Sequence, residues 1–352
     1  MNVIGKGYSY DDVYIIPRYS NNEFQSRSDI NVYVNSNVAS LTEGISTIIP
    51  ANMKDIIDVN SAKVFLENHC LTILHRFDKN PVENQISIFA ELEAFFKGKL
   101  LISDFLACSV GLNETEKELK ELAHAGFKIF CIDVAHGHTK HVLDRIKLLK
   151  TYAYIIIAGN VVTYDATLAL IQAGADLIKV GIGPGSICTT RKETGVGYPQ
   201  LSALSECRRA VDFMNTYENC RMYGLIADGG IKSPGDVVKA LCFADFVMIG
   251  GMFSACSDTP GEIHHINGVD CKAYHGSSTY KGSRSEGTVI YKKVSSTITE
   301  TIEYIHEKIQ SGLSYVGHED INDLLCDKDI QFIEVSQLQS YSDQNKETIR
   351  KH

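Results

Sequence analysis

The sequence lacks any long hydrophobic run. None of its apolar segments approaches the roughly 18 residues that would cross a bilayer, and its first residues lack the basic start and continuous apolar core of a secretory signal. Its 10 cysteines include no C-x-x-C pair, so neither a zinc knuckle nor a dithiol redox motif is indicated. We therefore predict a soluble, cytoplasmic protein with free thiols and no membrane partner.

Positive charge is also scarce. The formal net charge is −9, with 34 Lys and Arg against 43 Asp and Glu, and no basic patch is visible. Nucleic acid is therefore disfavoured as a partner, because its phosphates are bound mainly by clustered Lys and Arg. A small anionic ligand is still allowed, since backbone N–H groups can hold a phosphate without net positive charge.

What the sequence does contain is a regular alternation of strands and helices. Helix-start signals occur at Asn113 with Glu116, at Thr163, and at Ser233 followed by Pro234. Between the helices lie strand-sized apolar segments without polar alternation, as is typical of strands buried on both faces of a parallel sheet. These segments are 46–53, 71–76, 105–110, 129–135, 154–160, 177–183, 225–230 and 245–251.

The 352 residues could form two average domains or one large barrel. Eight strand–helix alternations favour the second, an α/β fold with a single-domain (β/α)8 barrel over residues 1–336. The polar segment 261–293 is predicted to form hairpins and a mobile flap over the barrel mouth. A helix over 297–313 would close the barrel, and 337–352 would be a polar, disordered tail.

In such barrels the chemistry lies where strands end, and phosphate commonly binds after strands seven and eight. Here those ends carry Asp228-Gly229-Gly230 and Gly250-Gly251. The loop GIGPGSICTT (181–190) follows strand six, which brings Cys188 beside the predicted phosphate site. A loop thiol is more often inert than catalytic, but the glycine-rich loop and the position at the rim favour a nucleophile.

The segments KVGIGPGSICTTRKETGVGYPQLSA, IADGG, SPGDVVKAL and ADFVMIGG closely resemble those of the GMP reductases, which share a superfamily with the IMP dehydrogenases. The similarity runs from YDDVYIIP to about Val335. Dehydrogenases usually carry a tandem regulatory module after strand two, whereas only 28 residues separate Arg76 from Phe105. The region SRSEG is also short and lacks the dehydrogenases' water-activating Arg-Tyr pair. Two departures from the reductases are Arg76 in place of Lys and Ser277 in place of Met.

The resemblance implies reductive deamination of GMP to IMP and ammonia with NADPH, a reaction of purine salvage. Cys188 would attack carbon 2 of guanine and form a thioimidate. Thr190, relayed to Glu286, would protonate the departing ammonia. Two alternatives are an IMP dehydrogenase without its regulatory module and a non-catalytic regulator that binds a purine nucleotide. The physiological purine could be GMP or a modified analogue.

The resemblance also assigns the substrate contacts. The phosphate would be held by Ser186 with Gly229, Gly230, Gly250 and Gly251, and the ribose by Asp228. Met53 would pack against the base. The purine would be framed by Gly276, Ser277, Ser278, Arg284, Ser285 and Gly287.

No Rossmann G-x-G-x-x-G follows the first strand, so the dinucleotide would lie across the barrel rim. By resemblance its nicotinamide would lie near Arg76, Asp133, Val134 and Ala135. A neighbouring subunit of a homotetramer would add Ser26, Arg27, Ser314, Tyr315, Val316 and Gly317. A monovalent cation, potassium in the family, is assigned to Gly183, Gly185, Cys188 and Arg191.

Overall fold

A computed structural model of the chain describes residues 5–20, 26–34, 38–218, 222–276 and 289–336. The eight apolar segments become parallel strands of one sheet, as predicted, because their Ile- and Val-rich side chains are buried on both faces. In chain order, with β1 at Val13–Ile15, β2 at Tyr33–Val34 and β3 at Ile45–Ser46, they are β4 Ile48–Pro50, β5 Thr72–Ile73, β6 Leu106–Val110, β7 Ile129–Asp133, β8 Ile155–Val161, β9 Leu177–Val180, β10 Gly224–Asp228 and β11 Phe246–Ile249.

The sheet is nearly closed into a barrel. Consecutive strands from β5 to β11 are hydrogen-bonded neighbours, and β11 pairs with β4, where Val247 lies opposite Ile48. The remaining seam lies between β4 and β5, which are in contact. Beside this seam the N–H of Ser46 donates to the carbonyl of His69 at 2.9 Å. The predicted (β/α)8 fold is therefore confirmed.

Helices surround the barrel, and seven of the ten described begin at a residue whose side chain caps the helix. Thr163 and Ser233 cap their helices as predicted. Asn113 does not, because Thr115 forms the capping box instead: its N–H donates to the Glu118 carboxylate at 2.7 Å, and its hydroxyl accepts from the Glu118 N–H. The helices are α1 Val59–Glu67, α2 Pro81–Phe96, α3 Glu116–His124, α4 Lys140–Leu149, α5 Tyr164–Ala173, α6 Thr190–Thr194, α7 Gln200–Tyr217, α8 Pro234–Leu241, α9 Ile298–Val316 and α10 Ile321–Cys326.

The polar segment after β11 forms a separate antiparallel sheet beside the barrel mouth. Its strands are β12 Ile263–Ile266, β13 Val269–His275 and β14 Val289–Lys293. A last strand, β15 Phe332–Glu334, pairs antiparallel with β1. The central part of the predicted flap, 277–288, and the predicted tail, 337–352, lie outside the described residues.

Helix α9 follows this sheet and packs on the barrel. Its buried face carries Ile302, Ile305, Ile309 and Leu313. Among the helices that the structure describes, none is long and apolar enough to span a bilayer.

Candidate active site

The C-terminal ends of the barrel strands surround a cavity of about 440 Å³. Most of the residues predicted to bind substrate, together with Cys188 and Thr190, line it. The predicted site residues in its wall are Met53, Arg76, Asp133, Val134, Ala135, Gly183, Gly185, Ser186, Cys188, Thr190, Asp228, Gly229, Gly230, Gly250, Gly251 and Gly276.

Cys188 is an exposed thiol at the mouth of this cavity. Its Sγ lies 3.2 Å from the Oγ1 of Thr190, to which the thiol can donate. By contrast, burial raises the pKa of Cys131 and of Cys207 to about 12, so these thiols stay protonated and inert. Of the described cysteines only Cys188 and Cys326 are exposed, and Cys326 is not among the residues of the cavity wall.

The loop 181–190, which carries Cys188 and which we call the cysteine loop, is held in shape by Arg191. The guanidinium donates from Nε to the carbonyl of Ile182 at 3.1 Å and from a terminal nitrogen to the carbonyl of Tyr198. Gly183 has a φ of +73°, and a Cβ there would lie 2.6 Å from Cγ of Arg191. Glycine is therefore required both by the left-handed backbone and by the passing arginine side chain.

Below the loop, a buried lysine holds two carboxylates of the cavity wall. Lys179 Nζ lies 3.3 Å from Oδ2 of Asp228 and 3.6 Å from Oδ1 of Asp133. Burial disfavours its charge, but the neighbouring Asp228 and Asp133 outweigh burial and raise the pKa of Lys179 above its ordinary value. Asn160 donates to the same Oδ2 of Asp228 at 2.8 Å. Lys179 is thus a fixed cation that orients Asp228.

Four glycines form a cradle between the ends of β10 and β11. Within the described part of the chain, the N–H groups of Gly229, Gly230, Gly250 and Gly251 donate to no protein acceptor. A Cβ on Gly250 would lie 2.6 Å from Oη of Tyr274, so a side chain there would collide with the tyrosine that borders the cradle. Unpaired N–H groups on glycines that line a cavity suit a phosphate. We call these four residues the glycine cradle.

Comparison with known proteins agrees with this geometry. A family model described as IMP dehydrogenase / GMP reductase domain matches residues 7–343. The chain belongs to this family. It is similar to a GMP reductase of Staphylococcus carnosus, with 34% identity over 331 residues that cover 91% of this chain and 94% of the relative. A GMP reductase of Staphylococcus aureus matches with the same identity and coverage.

In this member of the family, the predicted nicotinamide contacts divide into two groups. The first group lies in the cavity wall, where Arg76 donates to the carbonyl of Asp133 at 2.7 Å. The Nε of Arg76 is buried, lies 3.6 Å from Oδ2 of Asp133 in an ion pair, and has no hydrogen-bond acceptor among the described residues. The guanidinium of Arg76 lines the cavity and carries further N–H donors, which suit a ligand oxygen such as that of a carboxamide.

The second group lies away from this cavity, at the C-terminal end of α9. The guanidinium of Arg27 stacks on the ring of Tyr315 at 5.1 Å. The side chain of Arg18 donates to the carbonyl of Val316 at 2.9 Å, and Gly317 ends the helix with a φ of +80°. Ser26 lies beside Arg27, and Ser314 lies in the last turn of α9. None of the six residues assigned to a neighbouring subunit lines the cavity of this chain.

The loop assigned to a cation offers neutral carbonyl oxygens. The carbonyl of Gly185 accepts from the N–H of Cys188 at 3.0 Å, and that of Arg191 accepts from the N–H of Gly195 at 3.2 Å. Among the described residues, no cluster of three or more His, Cys, Asp and Glu side chains is arranged to hold a metal. A site made of neutral carbonyl oxygens suits a monovalent ion better than a divalent ion, which prefers carboxylates.

The remaining predicted residues lie outside the described part of the chain. These are Ser277, Ser278, Arg284, Ser285, Glu286 and Gly287.

The sequence reasoning missed several residues of the cavity wall, and three of them have polar side chains that contact predicted site residues. They are Asn160, Lys179 and Tyr274. Lys179 had a usable signal, because it is the one charged residue of the apolar segment LIKVGIG. A charge within a buried strand needs a partner. Tyr274 had no such signal, since it comes from β13, outside the barrel.

Proposed function

We propose that the protein reductively deaminates GMP to IMP and ammonia with NADPH as the hydride donor. The observation that carries the proposal is the exposed Cys188 thiol, 3.2 Å from the Thr190 hydroxyl, in a cavity whose other wall is the glycine cradle. Membership of the family supports it, as do the relatives named GMP reductase.

The chemistry explains why a thiol and a hydroxyl stand side by side. Carbon 2 of guanine carries an amino group, which leaves only when protonated. The thiolate of Cys188 would form a bond to carbon 2, and Thr190 would pass a proton from Glu286 to the amine. The carbon–nitrogen bond would then break, releasing ammonia and leaving a thioimidate. NADPH supplies the hydride that carbon 2 accepts. The carbon–sulfur bond would break in turn, returning the thiolate and releasing IMP.

The cavity wall would hold the nucleotide by its three parts. The phosphate would lie in the glycine cradle beside Ser186, and the base against Met53. Asp228 would accept from the ribose hydroxyls. Both contacts of Asp228 with Lys179 and Asn160 use Oδ2, so Oδ1 is left for this role.

The nicotinamide would lie near Arg76 and Asp133, and the dinucleotide would reach the cluster around Arg27 and Tyr315 of a neighbouring subunit. We also propose a homotetramer and a cytoplasmic location. Carbonyls of the cysteine loop, from Gly183 to Cys188, would hold potassium and steady the backbone of the nucleophile.

The test is a pair of assays on the purified protein, GMP with NADPH and IMP with NAD, following nicotinamide absorbance and ammonia. We expect GMP-dependent loss of NADPH with one ammonia released per NADPH. Cys188→Ala should abolish it, and the matched control Cys326→Ala, which removes the other thiol that is exposed among the described cysteines, should not. Turnover only with IMP and NAD would overturn the proposal in favour of a dehydrogenase. Binding without turnover would favour a regulator.

A further inference from the structure

Lys292 brings a positive charge to the edge of the glycine cradle, beside Gly251, although it is not itself among the residues of the cavity wall. It lies on β14, and its Nζ donates to the carbonyl of Gly251 at 2.6 Å. The Nζ also lies 3.2 Å from the position that a Cβ would take on Gly251, while Oγ of Ser186 lies 3.6 Å from that same position. The ammonium and the serine hydroxyl therefore flank one small volume in front of Gly251.

The ammonium of Lys292 is not saturated by the protein. Its described contacts are the Gly251 carbonyl and the ring of Tyr274, whose centroid lies 5.5 Å away. Within the described residues it forms no ion pair with a carboxylate. An ammonium has three N–H donors, so two are left for other acceptors. Burial lowers the pKa of Lys292, which is the effect expected of a charge held near a cavity without a counter-ion.

The lysine opposite Lys292 in the sheet shows the contrast. Lys272 on β13 pairs in register with Lys292. Its Nζ donates to three carbonyls, those of Cys256, Ser257 and Thr259, at 2.9, 3.1 and 2.6 Å. Lys272 is therefore a structural residue with every donor used. Two like charges opposite each other destabilise a sheet. The charge of Lys292 opposite Lys272 therefore lowers the stability of the fold, and a bound anion would offset this loss.

The cradle otherwise consists of neutral donors, the glycine N–H groups and the Ser186 hydroxyl. Neutral donors bind a phosphate through its oxygens, but they discriminate weakly between an anion and an uncharged acceptor. A hydrogen bond from an ammonium to a phosphate oxygen is stronger than a neutral one.

We propose that Lys292 is the residue that selects a phosphorylated ligand, favouring a nucleoside 5′-monophosphate over the uncharged nucleoside. This inference rests on the proposed function for the identity of the nucleotide, but the anion site itself does not.

The experiment compares Lys292→Met with Lys292→Arg, which keeps the charge, and with Lys293→Met on the opposite, exposed face of β14. Binding of IMP, inosine and ribose 5-phosphate is measured by calorimetry or by competition. We expect Lys292→Met to weaken the binding of IMP and of ribose 5-phosphate about 10- to 100-fold, as the loss of a charged hydrogen bond implies. The affinity for inosine should not change. Lys292→Arg should retain most of the affinity, and Lys293→Met should have no effect.

If Lys292→Met lost equal affinity for IMP and inosine, or lost no affinity for IMP, the inference would be overturned. Melting temperatures show whether Lys292→Met folds, and Lys292→Gln is the second variant if it does not. In the turnover assay with GMP, the KM should rise while kcat changes little. If the wild type does not reduce GMP but binds ribose 5-phosphate through Lys292, the proposed function fails and this inference stands. If GMP is reduced with an unchanged KM in Lys292→Met, only the inference fails.

Discussion

Single residues set the chemistry of this site, and they differ in how readable they are from the sequence. Cys188 could be predicted because its loop is dense in glycine and follows a strand end. Lys292 could not, because it lies 41 residues beyond the glycine that it contacts and reaches the cradle through a sheet that the sequence marks only as polar hairpins. The local sequence pattern indicates the structure around a residue, but it does not indicate which distant segment folds against that residue.

The hydroxyl of Thr190 gives the first prediction. Thr190→Val removes the group expected to carry the proton to the departing ammonia, and should lower kcat for GMP about 100- to 10,000-fold. The KM for GMP should change little, because the phosphate and ribose contacts remain. Steady-state assays of NADPH oxidation measure both constants.

The matched control is Thr189→Val in the same loop. The Oγ1 of Thr189 is buried and has no hydrogen-bond partner among the described residues, so its removal should leave kcat close to that of the wild type. Equal losses in the two variants would mean that Thr190 acts only through the shape of the loop.

At the scale of elements, the barrel strands and several helix starts could be predicted because their signals are local. All eight strands match the apolar segments, with β8 and β10 each extending one residue beyond them, and Thr163 and Ser233 cap their helices. The start of α3 was misplaced because Asn113 and Thr115 each precede a glutamate by three residues. The sequence offers two equivalent capping boxes, and only the folded chain shows which one closes.

Helix α9 carries the second prediction, through His306. Its Nε2 lies 3.0 Å from Oγ of Ser46, and burial lowers the pKa of His306 to about 4. The pKa of histidine in the unfolded chain is about 6.5. Below pH 6.5 the unfolded chain therefore binds a proton that the folded chain does not. The free energy of unfolding therefore falls as His306 of the unfolded chain takes up a proton. The stability is fully present above pH 6.5 and is lost as the pH falls through 4, with about 2 kcal/mol lost by pH 5.

His306→Gln keeps a partner for Ser46 and removes the titration. The difference in unfolding free energy between wild type and variant, measured by urea denaturation, should shift toward the variant by about 2 kcal/mol between pH 7 and pH 5. His124→Gln, on the exposed end of α3, should show no such shift. A constant difference for His306→Gln across this range would contradict the assigned burial.

At the scale of the whole molecule, the (β/α)8 architecture could be predicted from the number and spacing of the apolar segments. Which residues complete the proposed cofactor site cannot be read from one chain, because some are expected to come from a neighbouring subunit. The cluster around Arg27 and Tyr315 lies outside the cavity that holds Cys188. We expect it to complete the site of a neighbouring subunit, so that each active site needs two chains.

Mixed oligomers test this arrangement and give the third prediction. Cys188→Ala and Arg27→Ala should each be nearly inactive at low NADPH, the first through lost chemistry and the second through a raised KM for NADPH. Co-expression should restore activity, because some sites then combine an intact Cys188 with an intact Arg27 from the partner chain. If mixtures show no more than the sum of the two variants, Arg27 does not act between subunits.

The account depends most on a bond between the sulfur of Cys188 and carbon 2 of the purine, and mass spectrometry after acid quench measures that bond. Protein incubated with GMP and no NADPH should gain the mass of GMP less ammonia. The added mass should lie on the peptide that contains Cys188 and be absent from Cys188→Ala. An adduct on another cysteine, or NADPH oxidation that continues without any adduct, would contradict the account.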